Sequence, residues 1–379
     1  MKIISQNIPV ILSSILIIIL IFIPTGYEGA LIYQDTQRCS ARVLSTDNSM
    51  IISSGVVKTG EQICSLRILD GTFKGQLVDG YNMLNGSMNA DKIFEKGDKA
   101  FVLISHKEGN ILSVSMIDIY RINKEIILAG IFILLLLLFA GRTGLRAILS
   151  FSVTILMLWK VLVPGYLKGN NPIILGFVIT LILTFVIISL VYGFDRRAIS
   201  AISGAMLGIV TTGILGVLFT DIFQINGAVM EYSESLLYSG YANLNLTRIF
   251  MSGIFIGSSG AVIDLSVDIT SAVNEVIQKK PDLSRKEALH SGIRIGRDNV
   301  GTMTTTLLLA YSGGYIAMLM VFMAQGTPIS NILNYKYVAA QLLDTIVGSI
   351  GLVTVAPFTA LTSSLLLTGN KKLSRDIID

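Results

Sequence analysis

Asp264, Asp268, Ser271 and Glu275 recur at intervals of three and four in the stretch GAVIDLSVDITSAVNEV, residues 260–276, so on a helix they form one stripe. Carboxylates so spaced inside an apolar run can take up a cation or a proton by exchanging its hydration for their own oxygens. They can equally pair with the basic segment that follows. That segment, PDLSRKEALHSGIRIGR, opens with a capping box, Ser284 with Glu287, behind Leu283 as a hydrophobic staple. It reads as an amphipathic surface helix near 283–297 with Lys286, His290, Arg294 and Arg297 near one face. Both readings stand: a pathway through Asp264 and Asp268, or a structural pairing or gate made by Glu275, Arg294 and Arg297.

Either way the carboxylates must avoid lipid. An Asp near the centre of a span costs about 2.5–3.5 kcal/mol on the insertion scale, and each Ile, Phe or Val returns about 0.3–0.6. The nine clearly apolar residues of 249–263 could barely offset two lipid-facing aspartates. Protein or water must therefore meet them.

Two further stretches add polar groups. In RDNVGTMTTTLLLAYSGGY, Asp298 and Asn299 sit beside Arg297 at a predicted cytoplasmic mouth; Thr302, Thr305 and Thr306 follow, and Gly313 with Gly314 loosens the middle. Threonines in such helices commonly bond their own backbone or a neighbouring helix. In YKYVAAQLLDTIVGSIGLVTVAPFTALTSS, Gln341, Asp344, Thr345 and Gly348 make another stripe, and Pro357 is expected to break or kink the helix. An acidic residue inside a span is a candidate functional group, with a structural hydrogen bond as the other reading. The ion-binding or transport candidates are thus Asp264, Asp268, Asp298, Asn299, Thr302, Thr305, Gln341 and Asp344. The pairs Gly204 and Gly208, Gly253 and Gly257, and Gly292 and Gly296 have the spacing of close helix packing.

The elements that position these residues follow from composition. The chain has 379 residues, 52% hydrophobic and 14% charged, with a mean hydropathy of +0.70, too apolar for an ordinary soluble protein. Apolar runs at 3–23, 122–140, 145–163, 173–192, 198–220, 249–270, 300–324 and 337–367 are each near or above the roughly 18–20 residues that cross a bilayer. Threaded alternately, they leave Lys2, Arg142, Arg146, Arg196, Arg197, the basic cluster of 279–297, Lys371, Lys372 and Arg375 on one side, the cytoplasmic one. The opposite loops hold Lys168, and 221–247 carries Asp221, Glu231 and Glu234 without a basic residue. The first run could be a cleaved signal peptide, but its length, its single n-region Lys2 and the lack of a small-x-small site at 24–30 favour an uncleaved anchor.

Residues 35–123 read differently: ARVLSTD, QICSLRILDG, FKGQLVD, KAFVLISH and ILSVSMIDIY are five strands among turn residues, which suggests a small β-barrel of the OB kind. Its ten basic and ten acidic side chains argue against nucleic acid, which needs a positive track. Cys39 and Cys64 both lie here, where a disulfide between adjacent strands or two separate small apolar residues would serve. They make no cysteine-based metal site, and the metal question stays open. The expected fold is an α-helical transmembrane bundle of about eight spans with both termini cytoplasmic, carrying an extracytoplasmic OB-like β-barrel insert. Its parts are an anchor helix in 1–34, the β-rich domain in 35–123 and a seven-span membrane domain in 124–379.

An enzyme is not expected. GSSG at 257–260 fits the GxSG of rhomboid-like serine proteases, but the two histidines, His106 and His290, fall outside the spans and cannot serve as a base there. HExxH and GxxxxGK[ST] are both missing, and no cofactor is called for. The runs GAVIDLSVDITSAVNEV and SRKEALHSGIRIGRDNVGTMTTTLLLAYSG, with QLLDTIVGSIGLVTVAPFTAL and more loosely FKGQLVDGYNML, resemble the YibE/F-like family of bacterial membrane proteins. Gly260, Asp264, Asp268, Glu275, Gly296, Arg297, Asp298, Gly301, Thr302 and Asp344 carry the resemblance. It implies a multi-pass protein of the bacterial cell membrane and supplies no substrate. The expected function is a secondary transporter or channel for a small cation or a cation-coupled solute; the alternative is a scaffold or accessory subunit that binds an envelope partner through its β-domain. Partners expected are the bilayer and a second copy or a related membrane protein.

Overall fold

Alternating side chains build the β-domain. A computed structural model describes residues 2–28 and 35–368; Lys371, Lys372 and Arg375, the Lys2 side chain, and residues 29 and 30 of the segment weighed as a cleavage site lie outside the described residues or side chains. The chain divides into two units, Tyr27–Phe139 and a helical unit made of the residues up to Gly26 with those from Ala140 onward.

In the first unit, β1 (Thr36–Asp47), β2 (Ile51–Ser54), β3 (Val57–Ile68), β4 (Leu77–Asn85), β5 (Lys99–Lys107) and β6 (Asn110–Ile119) form one sheet. Five strands close in the order β1-β5-β6-β4-β3-β1, with β4 and β6 parallel at Tyr81 and Ser115 and the other pairs antiparallel. β1 closes the barrel: its first half pairs with β5 and its second with β3, and a register shift between Val43 and Ser45 supplies the bend. The five expected strand stretches all contribute, although FKGQLVD is a turn until Leu77. β2 went unforeseen because it is four residues long and largely exposed, hung on β3 by the hairpin at Gly55.

The inward positions Ala41, Val43, Leu66, Ala100, Val102, Ile104 and Val114 are buried, with Phe94 closing the core. Gln62, fully buried, donates to the Phe94 carbonyl at 2.8 Å and accepts from the Phe94 N–H at 3.0 Å and from Asn82 at 3.1 Å. These bonds satisfy both amides and pin the connection before β5.

Cys39 and Cys64 are free and buried. Cys64 lies across from Thr46 of β1, seven positions from Cys39, which itself faces Val102. At about 3.3 Å per strand residue that separation is far beyond disulfide reach, so the reading as two small apolar residues is the one that fits. Burial pushes the Cys64 thiol up to about 11, and burial followed by the charge of Asp70 raises Cys39. At pH 8 only about one Cys64 thiol in a thousand is then thiolate. Both cysteines are expected to resist a maleimide at pH 8 in the native protein and to react fully in denaturant, as intact-mass measurement would read; native labelling of either, or a mass two protons short, would contradict the register.

The helices begin where the sequence supplies caps. Asn171 accepts from the Ile173 N–H at the start of α4, Asp195 from Arg197 at the start of α5, and Asn245 from Arg248 at the start of α7. In chain order the helices are α1 (Lys2–Phe22), α2 (Ile122–Met157), α3 (Val163–Leu167), α4 (Pro172–Tyr192), α5 (Arg196–Ile222), α6 (Ser233–Leu236), α7 (Leu246–Lys279), α8 (Arg285–Ser312), α9 (Ile316–Ala324), α10 (Ile329–Asn334) and α11 (Lys336–Leu367).

Among the described residues six helical stretches are long and apolar enough to cross a membrane, and Asn7–Phe22 is a shorter apolar helix. The eight runs reduce to this set because 122–140 and 145–163 fall in one stretch, Ile122–Leu167, turned at Gly141 with φ 51° and ψ −120°, a backbone that glycine adopts readily. The amphipathic segment is not a separate helix either. Ser284 and Glu287 form the expected capping box, and α8 then runs unbroken into the next span. Nor does Pro357 break α11, since neighbouring helices and hydroxyls let membrane-type helices tolerate proline.

Small residues and hydroxyls join α5, α7 and α11. Ser266 donates to the Ala201 carbonyl at 2.6 Å, Thr359 to Ser266 at 3.1 Å, and Ser200 and Ser363 lie 2.8 Å apart. Of the three glycine pairs, Gly204 and Gly208 pack on Thr359 and Val355, and Gly292 and Gly296 on Ala360 and Ala356. Gly253 meets nothing, so its pair does not serve tight packing along its whole length.

Candidate functional site

Tyr337, Gln341 and Asp344 share one face of α11 by their four-and-three spacing, and that face borders a cavity of about 740 Å³ in the helical unit. Residues 228–235, from the connection between α5 and α7, line the same cavity, together with Phe250 of α7, Ala340 of α11, Gly314, Tyr315 and Met318. The connection is held in place by its apolar and glycine residues. Ile225 is buried with Ile254, Leu343 and Val347, and a Cβ on Gly227 would fall 2.0 Å from the Leu246 carbonyl oxygen. Tyr232 then takes a left-handed backbone, φ 58°, which is uncommon outside glycine, asparagine and aspartate. That turn delivers Glu231 and Glu234 to the cavity.

Three carboxylates therefore face one space, and none of the described residues lining it is basic. Asp344 is the inner one: its Oδ1 is buried and has no hydrogen-bond partner, as is the hydroxyl of Tyr311. A buried acceptor without a donor is costly, and Asp344 bears that cost at the inner side of the cavity. Gln341 reaches Thr345 at 3.4 Å. The cavity thus brings together Gln341 and Asp344 of the sequence candidates and no others.

Asp264 and Asp268 stand elsewhere, exposed on α7 along a stripe that includes Gly253, Gly257, Gly260, Ser271 and Glu275. Among the described residues they make no ion pair with Arg294 or Arg297. Glu275 instead pairs with Lys279 at 2.7 Å. The pairing expectation fails because Gly292 and Gly296 turn inward against Ala360, Ala356, Val273 and Ile269, which leaves Arg294 and Arg297 on the exposed side of α8. Asp298 is exposed and Asn299 half-buried. Thr302 donates to the Asn299 carbonyl at 3.0 Å, Thr305 to Gly301 at 3.2 Å and Thr306 to Thr302 at 3.0 Å, so these hydroxyls satisfy their own helix rather than line the cavity.

Glu231, Glu234, Tyr232, Tyr315 and Tyr337 were not singled out from sequence as site residues. The sequence signals that point to them are the acidic connection without a basic residue and the placement of Tyr337 seven residues before Asp344. Among the described residues no group of three His, Cys, Asp or Glu side chains could hold a metal ion.

The family described as YibE/F-like protein matches residues 128–369, and the YibE/F family N-terminal domain matches residues 34–119. No curated protein and no solved structure matches the chain. Taken together the two family matches cover both units, and the chain belongs to the YibE/F-like family.

Proposed function

We propose that the chain is a multi-pass protein of the bacterial cell membrane that moves a small cation, or a solute coupled to one, as a secondary transporter or channel, and that it is not an enzyme. The observation that carries this reading is the cavity with Asp344 at its inner side, its Oδ1 unpartnered. Eight crossings are supported by the 46 residues of Ile122–Leu167, about twice what one crossing needs, and by the turn at Gly141 beside Arg142 and Arg146. Those arginines favour a cytoplasmic corner, hence cytoplasmic termini and a β-domain on the outer side. The closing order of five strands, first-second-third-fifth-fourth with the third and fifth parallel, supports an OB-like barrel.

Asp264 and Asp268 belong to the proposal in a different way. Lipid would oppose them on an exposed face, so water or another chain must cover it, and a second copy or a related membrane protein is the proposed cover. Uptake of cations by vesicles holding the purified protein tests the transport reading. Uptake above that of empty vesicles is expected, together with its loss in the variant carrying Asp264→Asn, Asp268→Asn and Asp344→Asn; unchanged uptake in that variant would defeat it. A scaffold is the second reading, favoured by the exposed Tyr81, Met83 and Ile117 of the barrel. It expects no uptake and co-purification of a partner that a barrel-deleted chain fails to retain.

A further inference from the structure

We infer that the cavity beside Asp344 is a binding site for an organic cation of the alkylammonium type rather than for a bare metal ion. The inference rests on the transport reading for its biological setting, but its chemistry is that of the cavity alone. A volume of about 740 Å³ lies in the range of sites for drug-sized molecules. A metal ion would need several oxygens converging at about 2.0–2.6 Å. Among the described residues no three acidic, histidine or cysteine side chains converge closely enough to hold one.

The lining is instead spread and amphipathic. Glu231, Glu234 and Asp344 supply negative charge from the connection and from α11, and Tyr232, Tyr315 and Tyr337 supply aromatic rings. Phe250 and Met318 add apolar surface. Tyr337 stacks on Tyr335 at 5.8 Å between ring centres, which holds its ring before any guest arrives. Rings attract an ammonium through their negative faces, most strongly when the ion sheds its water. Carboxylates set apart among such rings neutralise a diffuse cation without needing to coordinate it. The buried Oδ1 of Asp344, without a donor of its own, gives an N–H or a cationic methyl group a fixed place at the inner side.

Titration calorimetry of the full chain in detergent, with tetraethylammonium and choline as probes, tests this directly. One saturable site is expected, with sodium and magnesium at equal ionic strength competing weakly. Tyr337→Ala should weaken the probes roughly tenfold and Tyr337→Phe only slightly; Asp344→Asn, which keeps the side-chain shape, should weaken them by roughly tenfold or more. Absence of saturable binding, displacement by stoichiometric magnesium, or indifference to both Tyr337→Ala and Asp344→Asn in folded protein would overturn the inference. Binding without vesicle uptake would remove the transport reading and leave the site; sodium uptake without probe binding would do the reverse.

Discussion

The Asp344→Asn chain is expected to lose cation uptake by about forty- to a hundred-and-fortyfold while unfolding at a higher temperature than the native chain. The loss follows from charge. A charge-assisted contact in a desolvated site contributes about 1.5–3 kcal/mol, and at about 1.4 kcal/mol per decade the upper half of that range gives this factor. The gain in stability follows from the missing partner, because Oδ1 is buried without a hydrogen-bond donor and a neutral amide is less costly to desolvate than a carboxylate. An increase of about 0.5–2 kcal/mol, the range of single stabilising substitutions, is expected. A structural carboxylate would behave oppositely, since removing one end of a satisfied bond destabilises. Vesicle uptake beside thermal unfolding in detergent separates the cases: full uptake, or lower stability with lost uptake, would count against a binding role.

The sequence and the structure part company at identifiable residues. Strand alternation in QICSLRILDG and KAFVLISH was legible because one face of each strand had to be apolar, and the capping box at Ser284 because its bonds are local. Closure of the barrel depends on β1 changing partners at Val43, a non-local event with no residue signature. Helix existence was likewise clear from hydropathy, but continuity was not: Gly141 turns one stretch while Pro357 leaves another whole, and neighbouring elements decide which. The candidate site was half legible. Asp344 stood out as an acid in an apolar run, whereas Glu231 and Glu234 resembled ordinary loop acids until the buried Ile225 and the close approach of Gly227 to Leu246 fixed the connection against the helices. Asp264 and Asp268 stood out equally and yet lie outside the cavity, because three-and-four spacing places residues on a stripe without saying what the stripe faces.

The glycine pairs show the same limit and yield the largest expected effect on stability. Gly204→Val should lower the unfolding temperature by roughly 5 °C or more, while Gly253→Val leaves it nearly unchanged. A Cβ at Gly204 would lie 2.2 Å from Thr359 Oγ1 and 2.7 Å from Thr359 Cα, so moving a side chain aside does not relieve it. Thr359 is fully buried and bonded to Ser266, which in turn bonds Ala201 of α5. Separating α5 from α11 would therefore strain or break the hydroxyl bonds that link three helices. Overpacking costs about 1–3 kcal/mol and sometimes more, each lost hydrogen bond about 1 kcal/mol, and because the shift per kcal/mol falls as the chain lengthens, 1 kcal/mol moves the midpoint by about 1–2 °C here. Gly253 shares the same spacing with its partner Gly257 but has open space around its Cβ, so no packing contact within the chain changes, and dispersal as single copies in detergent keeps the proposed covering chain out of the comparison. Thermal unfolding of both variants in one detergent reads the difference, and equal midpoints would mean that α5 and α11 do not approach as closely as the Gly204 contact requires.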